Sequence, residues 1–418
     1  MKALNKIQVF EHERLICGDS YFKQHHLIAL LKLNELHNFE YFDSVPNGVK
    51  FKQYVGIIQV DNLTIEILPK ADKDGDESSW RNVLIQMLKA CHKLKASTYG
   101  DADVKRQNLN LLEIYFSIFL TELSGLIKQG LIKQYRLESS NIKSLKGKII
   151  FSKNINKNFV HAERFFTKHQ VYDRDHELHQ ILNSALKVIE QFTRGTYLFD
   201  NCKRIQLDFP EVGEINITKK LLDNFQLTRK TKAYTKAFEI ARLILLNYSP
   251  DISSGNEKML ALLFDMNKLW EEYILIKLRE ELHDPKFEIM AKDSRSFWGL
   301  NYLNPDIVIT DKSVNPVETF IIDTKWKRPG NSSASIQDLR QMYAYNRFWN
   351  CSKAVLLYPG DPKFDSFKEF KNIHDSKKHF CKMAFVHVLD NYGKLNQNLG
   401  LDIIKEIEFK QNEIDLHF

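Results

Sequence analysis

The stretch FIIDTKWK, Phe320 to Lys327, constrains this chain more than any other. Phe320, Ile321 and Ile322 are the side chains of a strand buried in a sheet. They run straight into Asp323, with Lys325 two positions later. Strand side chains alternate, so the acid and the base share a face. Burying such charges costs several kcal/mol per ion unless something compensates. The preceding run, PDIVIT, carries Asp306 at its start, and DKSVNP (Asp311 to Pro316) supplies a turn. A hairpin on that turn sets Asp306 opposite Ile321 to Asp323, depending on register. Two adjacent carboxylates repel each other and invite a divalent cation, and hard oxygen ligands suit magnesium. The plainer expectation is an ion pair between Asp323 and Lys325 on an edge strand.

The flanking segments give this pair a context. Met259, Leu262, Leu263, Met266, Leu269, Trp270, Tyr273 and Ile274 keep a helical period over four turns. Glu271 and Glu272 lie equally near the two edges of that apolar stripe, so spacing does not choose between them. FWGLNYL, DIVIT and TFIID read as strands, IQDLRQMYAYNRFW as a helix, and KAVLLYP and MAFVHVLD as further strands. Gln341 and Tyr345, four apart, share one face of that helix. The order predicts an α/β domain on a mixed sheet.

A chain of 418 residues exceeds the usual size of one core, so two or three domains are expected. The expected divisions are a strand-rich α+β region over 1–107, a helical and basic region over 108–250, and a mixed-sheet domain over 251–418. YVGIIQVDNLTIEILPK reads as two strands around an Asp61-Asn62 turn. ADKDGDESSW hints at a calcium loop, but its glycine falls at the wrong offset, and a solvated loop ending in a Ser78/Ser79 cap is preferred. A helix should follow through Trp80, Val83, Leu84, Met87, Leu88 and Cys91, and another from about Asn108 to Gln129. Between Lys128 and Lys168 ten Lys or Arg face two Glu, the pattern of a surface turned to phosphates or to a partner.

Other chemistries are excluded one by one. HELHQ lacks the second His of a zinc-protease helix at the position of Gln180, so His176 and His179 are expected at the surface. The five cysteines are scattered without a C-x-x-C pair, which fits a reducing cytoplasm and neither disulfides nor zinc. No apolar N-terminal run resembles a signal peptide, and no run is long enough for a membrane span. The net charge of +7 permits a nucleic-acid partner.

A helix with Glu, a strand with PD, a strand with D-x-K and a helix with Q-x-x-x-Y together resemble the PD-(D/E)XK nuclease fold. More narrowly, the chain resembles McrC, the nuclease subunit of McrBC-type modification-dependent restriction systems. The similarity includes IEILPK (65–70), GLIKQY (130–135), LKGKI (145–149), FDMNKLWEEYI (264–274), NPDIVI, IIDTKWK, DLRQMYAY and LLYP (356–359). The resemblance implies Asp306 and Asp323 as metal-binding carboxylates, with the Thr324 carbonyl as a further ligand. It implies Lys325 as the motif lysine, Gln341 and Tyr345 as the pair that contacts DNA or supports the site, and Glu271 as the first-helix acid, with Glu272 as fallback. It further implies Mg2+ (or Mn2+ in its place), double-stranded DNA cleavage and an AAA+ GTPase ring, McrB-like, that reads modified cytosine. This chain has no G-x-x-x-x-G-K-[ST] loop, so the GTPase is a separate polypeptide docking before about residue 250. The rival expectations are a ring-ATPase activator with a dispensable pocket and a stand-alone repair or defence nuclease.

Overall fold

The computed structural model describes residues 5–19, 21–70, 77–91, 93, 110–249, 258–327, 329, 333–362, 365–371 and 377–407. The chain divides into two compact units, one of Met1–Ala3 with Lys95–Leu262, the other of Leu4–Leu94 with Leu263–Phe418. The second unit therefore draws on both ends of the sequence.

Its C-terminal part is built on a mixed sheet of six strands. Their order is Phe287–Ala291, Ile307–Asp311, Glu318–Thr324, Lys353–Pro359, Phe380–Val386 and Lys368–Glu369. The first three pair antiparallel, the next two join in parallel, and the last is antiparallel again. The strand ending in Asp323-Thr324 is thus interior, which removes the edge-strand reading of its charges. Helix Ile336–Phe348 connects the two central parallel strands and lays Met342, Tyr345 and Trp349 on Val308, Ile321, Leu356 and Tyr358. This apolar layer fixes the register of the strands beneath the charged end.

Two segments depart from their expected form. Met259–Asp265 is a strand, and the helix begins only at Met266 and runs to Glu281. MLALLF is apolar throughout, so it satisfies a helical period and a buried strand equally well. The start is set by Asp265, whose carboxylate caps the amides of Asn267 and Lys268. FWGLNYL is not one strand but the tip of a hairpin, Arg295–Trp298 against Asn301–Leu303. Gly299 turns the chain with φ +57°, a conformation that glycine adopts freely.

The N-terminal part of this unit pairs Asn5–Phe10 in parallel with Leu63–Leu68, which pairs antiparallel with Tyr54–Val60 around the Asp61 turn. Helix Glu77–Ala90 buries Trp80, Val83, Leu84, Met87 and Leu88. It starts at Glu77, so Ser78 and Ser79 lie in its first turn; the aspartates of the rejected calcium loop fall outside the described residues.

In the first unit, helix Leu111–Gln129 starts on an Asn110–Glu113 capping box and stops at Gly130. Helices Leu198–Asp208 and Thr235–Leu246 pack on it, and helix Glu177–Thr193 packs on those two. His176 and His179 are buried here, against the expectation of a surface position. His179 contacts the Arg174 carbonyl at 2.8 Å and the Tyr234 hydroxyl at 3.4 Å, and burial lowers its pKa to about 4. A neutral imidazole with polar partners packs as a core residue.

The basic stretch folds as a ladder, Gln134–Ile142 against Phe165–Asp173, backed by the short helix Phe151–Asn158. Asn154 accepts from the Phe166 amide at 2.7 Å, and Asn158 exchanges hydrogen bonds with Asn141. The helix is thus held by its polar side, while Phe151, Ile155 and Phe159, spaced four apart, stand exposed.

Candidate active site

The hairpin register decides how the acids meet. Ile307 pairs with Ile322, so one step further brings Asp306 alongside Asp323 at the open end of the sheet. Asp306 Oδ2 accepts from the Thr324 amide at 2.7 Å and from its hydroxyl at 3.0 Å. These two bonds fix the Asp306 carboxylate against the end of the D-x-K strand.

Asp323 is 2% exposed. Burial, and then the neighbouring Asp306, push its pKa up to about 6. The Lys325 ammonium lies 2.6 Å from Asp323 Oδ2 in an ion pair. Oδ2 has no other hydrogen-bond partner among the described residues. Burial works against the Lys325 charge, but Asp323, Asp338 and Asp306 outweigh it and raise its pKa.

Asp338 was not singled out from sequence. It sits three residues before Gln341, on the same helix face, and that spacing was the available signal. Its carboxylate lies 3.1 Å from Lys327 Nζ and 4.0 Å from Lys325 Nζ, and its amide is capped by Ser335. The Q-x-x-x-Y pair forms a chain of contacts: Gln341 donates to the Tyr345 hydroxyl at 2.7 Å, which donates to the Asn304 carbonyl at 3.0 Å. Asn304 lies two residues before Asp306, so this helix holds the segment that presents the first carboxylate.

The geometry separates the two candidate glutamates. Glu271 lies 3.2 Å from Lys292, whose amide bonds the Asp306 carbonyl. Its pKa is raised by burial and by Asp306. Glu272 points elsewhere, pairing with Lys93 at 2.9 Å. Beneath the site, Trp326 donates to Glu11 at 2.6 Å, joining the two sequence segments of this unit. Among the described residues no three His, Cys, Asp or Glu side chains gather as a metal cage, and no helix is long and apolar enough to cross a membrane.

A family model described as McrBC 5-methylcytosine restriction system component matches residues 49–359. No curated protein matches the sequence. A chain from the refined half-complex of the tetradecameric assembly of Thermococcus gammatolerans McrB AAA+ hexamers with bound McrC is similar in structure. Its TM-score is 0.69 at 20% identity, covering 97% of this chain and 99% of that one. A chain from the cryo-EM structure of the Thermococcus gammatolerans McrBC complex has a TM-score of 0.49 at 23% identity, covering 66% of this chain and 88% of that one. At such identities the first likeness is one of fold. The family model, however, spans well over half of the sequence and contains every residue of the carboxylate site, and by it the chain belongs to the family of McrBC 5-methylcytosine restriction system components.

Proposed function

We propose that this chain is the cleavage subunit of a GTP-driven, modified-cytosine-dependent restriction complex, a magnesium-dependent DNA endonuclease of the PD-(D/E)XK type. The observation that carries the reading is Asp306 alongside Asp323 at the end of interior strands, with Lys325 2.6 Å from Asp323. A structural ion pair needs one carboxylate. A second, turned toward it, raises the cost of the first and is repaid by a cation.

The donor set fits a hard divalent ion. Asp323 Oδ2 is buried beside the Lys325 ammonium, and Asp306 and the Thr324 carbonyl add oxygens. Glu271 would stand behind them, held by Lys292. Fewer than a full cage of side chains suits magnesium, which keeps several waters, and manganese takes the same donors. When bound, the ion supplies Lewis acidity and lowers the pKa of a coordinated water. The Lys325 ammonium stabilises negative charge developing on the phosphate. Gln341 and Tyr345 hold the Asn304 segment, and with it Asp306, in place.

The partner in this reading is an McrB-like AAA+ GTPase ring, supported by family membership and by the McrB hexamers with bound McrC in the similar structure. The exposed Phe151, Ile155 and Phe159 in the first unit, beside the lysines of the basic ladder, suit a protein contact better than a solvated face. Double-stranded DNA is the substrate, and the cytoplasm the location.

The test is plasmid cleavage with Mg2+ and GTP, with and without the AAA+ protein, on methylated and unmethylated DNA. Cutting that needs partner, GTP and methylation, and that is lost in Asp323→Ala, is expected. Cutting by Asp323→Ala at the wild-type rate sinks the site, and partner-independent cutting sinks the restriction role.

A further inference from the structure

Between strands Phe287–Ala291 and Ile307–Asp311 the chain makes an excursion, residues 292–306, whose middle, residues 293–303, the chemistry above does not use. Its two ends are closed by the hydrogen bond from the Lys292 amide to the Asp306 carbonyl, so it rises directly from the first carboxylate. It folds as a two-stranded ribbon, with Ser296 opposite Tyr302 and Trp298 opposite Asn301.

The base of the ribbon is fastened and its tip is not. Arg295 lies on the Trp349 ring at 4.7 Å and donates to the Phe348 carbonyl at 2.6 Å. Trp349 donates to Asp293 at 2.6 Å, and Phe297 meets Phe348 edge-on. Beyond these anchors Trp298 is 75% and Leu300 92% exposed, with Tyr302 also exposed. A large apolar tip raised into solvent costs solubility unless it has an occupant.

We propose that this ribbon is a DNA wedge: its tip, Trp298 and Leu300, inserts into the base stack of duplex DNA next to the phosphate held at Asp306 and Asp323. The inference rests on the nuclease reading. Three observations select DNA as the occupant. The ribbon springs from Asp306, so a duplex placed for cleavage lies against it. From Asp306 to Leu300 an extended chain reaches up to about 20 Å, more than the roughly 8 Å depth of either groove. The site is flanked by the exposed cations Lys292 and Lys327, which complement a phosphate backbone. The Trp298-Gly299-Leu300 tip offers no side chain for reading base edges except the indole N–H. Apolar side chains of this kind enter DNA by unstacking a base step.

The experiment uses the full chain and duplexes carrying 2-aminopurine at successive positions, without divalent metal so that the strands stay intact. Wild type is expected to raise the fluorescence at one or two adjacent positions. The Trp298→Ala/Leu300→Ala variant is expected to abolish that rise and weaken duplex binding at least about tenfold. A wild-type chain that gives no rise overturns the wedge, as does a variant that gives the full rise. A variant that changes only the sedimentation mass overturns it in favour of a contact between copies. Asp323→Asn separates this idea from the reading beneath it. It should keep the fluorescence rise and lose cleavage in Mg2+, whereas an Asp323→Asn chain that still cuts defeats the nuclease site and leaves the wedge to the fluorescence.

Discussion

Tyr345 donates a hydrogen bond to the Asn304 carbonyl at 3.0 Å and receives one from Gln341 at 2.7 Å. Through this single buried hydroxyl the connecting helix holds the segment that carries Asp306. Tyr345→Phe keeps the ring in the core and removes only that tie. Stability should fall by about 1 kcal/mol, read from urea unfolding. Cleavage should fall about tenfold or more, because a displaced carboxylate costs more in rate than in stability. A rate within twofold of wild type removes Tyr345 from the site.

The Asp338 carboxylate lies 4.0 Å from the Lys325 ammonium and 3.1 Å from that of Lys327. In Asp338→Ala both Lys325 and Lys327 lose a carboxylate neighbour. The Lys325 pKa, which Asp338 helps to raise, should drop. The alkaline limb of the cleavage pH profile should then move to lower pH, with partial recovery in Asp338→Glu. A profile of unchanged shape at reduced rate would assign Asp338 a purely structural role.

The two adjacent glutamates should separate cleanly. Glu271 faces Asp306 and Lys292, whereas Glu272 pairs with Lys93 near the surface. Glu271→Gln should slow cleavage about tenfold or more, while Glu272→Gln stays close to wild type. Equal effects in a parallel assay would discard the assignment.

Glu11 is a buried acid whose pKa stands at about 7, raised from 4.5 by burial despite the hydrogen bonds from Trp326 and the Lys70 amide. The folded chain therefore keeps this proton up to about pH 7, while the unfolded chain releases it near pH 4.5. Stability should decline as pH rises across that window, by up to about 3 kcal/mol. Glu11→Gln should flatten the decline in thermal melts taken from pH 4.5 to 7.5. A slope equal to wild type would show that the carboxyl is already ionised in the fold.

The exposed stripe of Phe151, Ile155 and Phe159 should carry the contact with the GTPase ring. Replacing all three with Ser removes no core contact, so the melting temperature should hold. Stimulation of the partner's GTP hydrolysis should fall about tenfold or more. Full stimulation would place the ring elsewhere.

Local pattern determined much of this protein. Alternation and turn chemistry set the Asp306 and Asp323 strands, and the i,i+4 spacing put Gln341 and Tyr345 on one face, because these depend on neighbours within a few residues. Where every residue was apolar, as in MLALLF, the period carried no information, and the Asp265 cap decided. The buried place of His179 was not legible either: two polar partners, Arg174 and Tyr234, made its burial tolerable, and Tyr234 lies 55 residues away. Only the tertiary structure chose Glu271 over Glu272 as the neighbour of Asp306, since both edges of the helix stripe were equivalent until a sheet was packed against one. Only it set Glu11 under Trp326, a contact across 315 residues. Such contacts follow from burial and close packing, which no local spacing encodes.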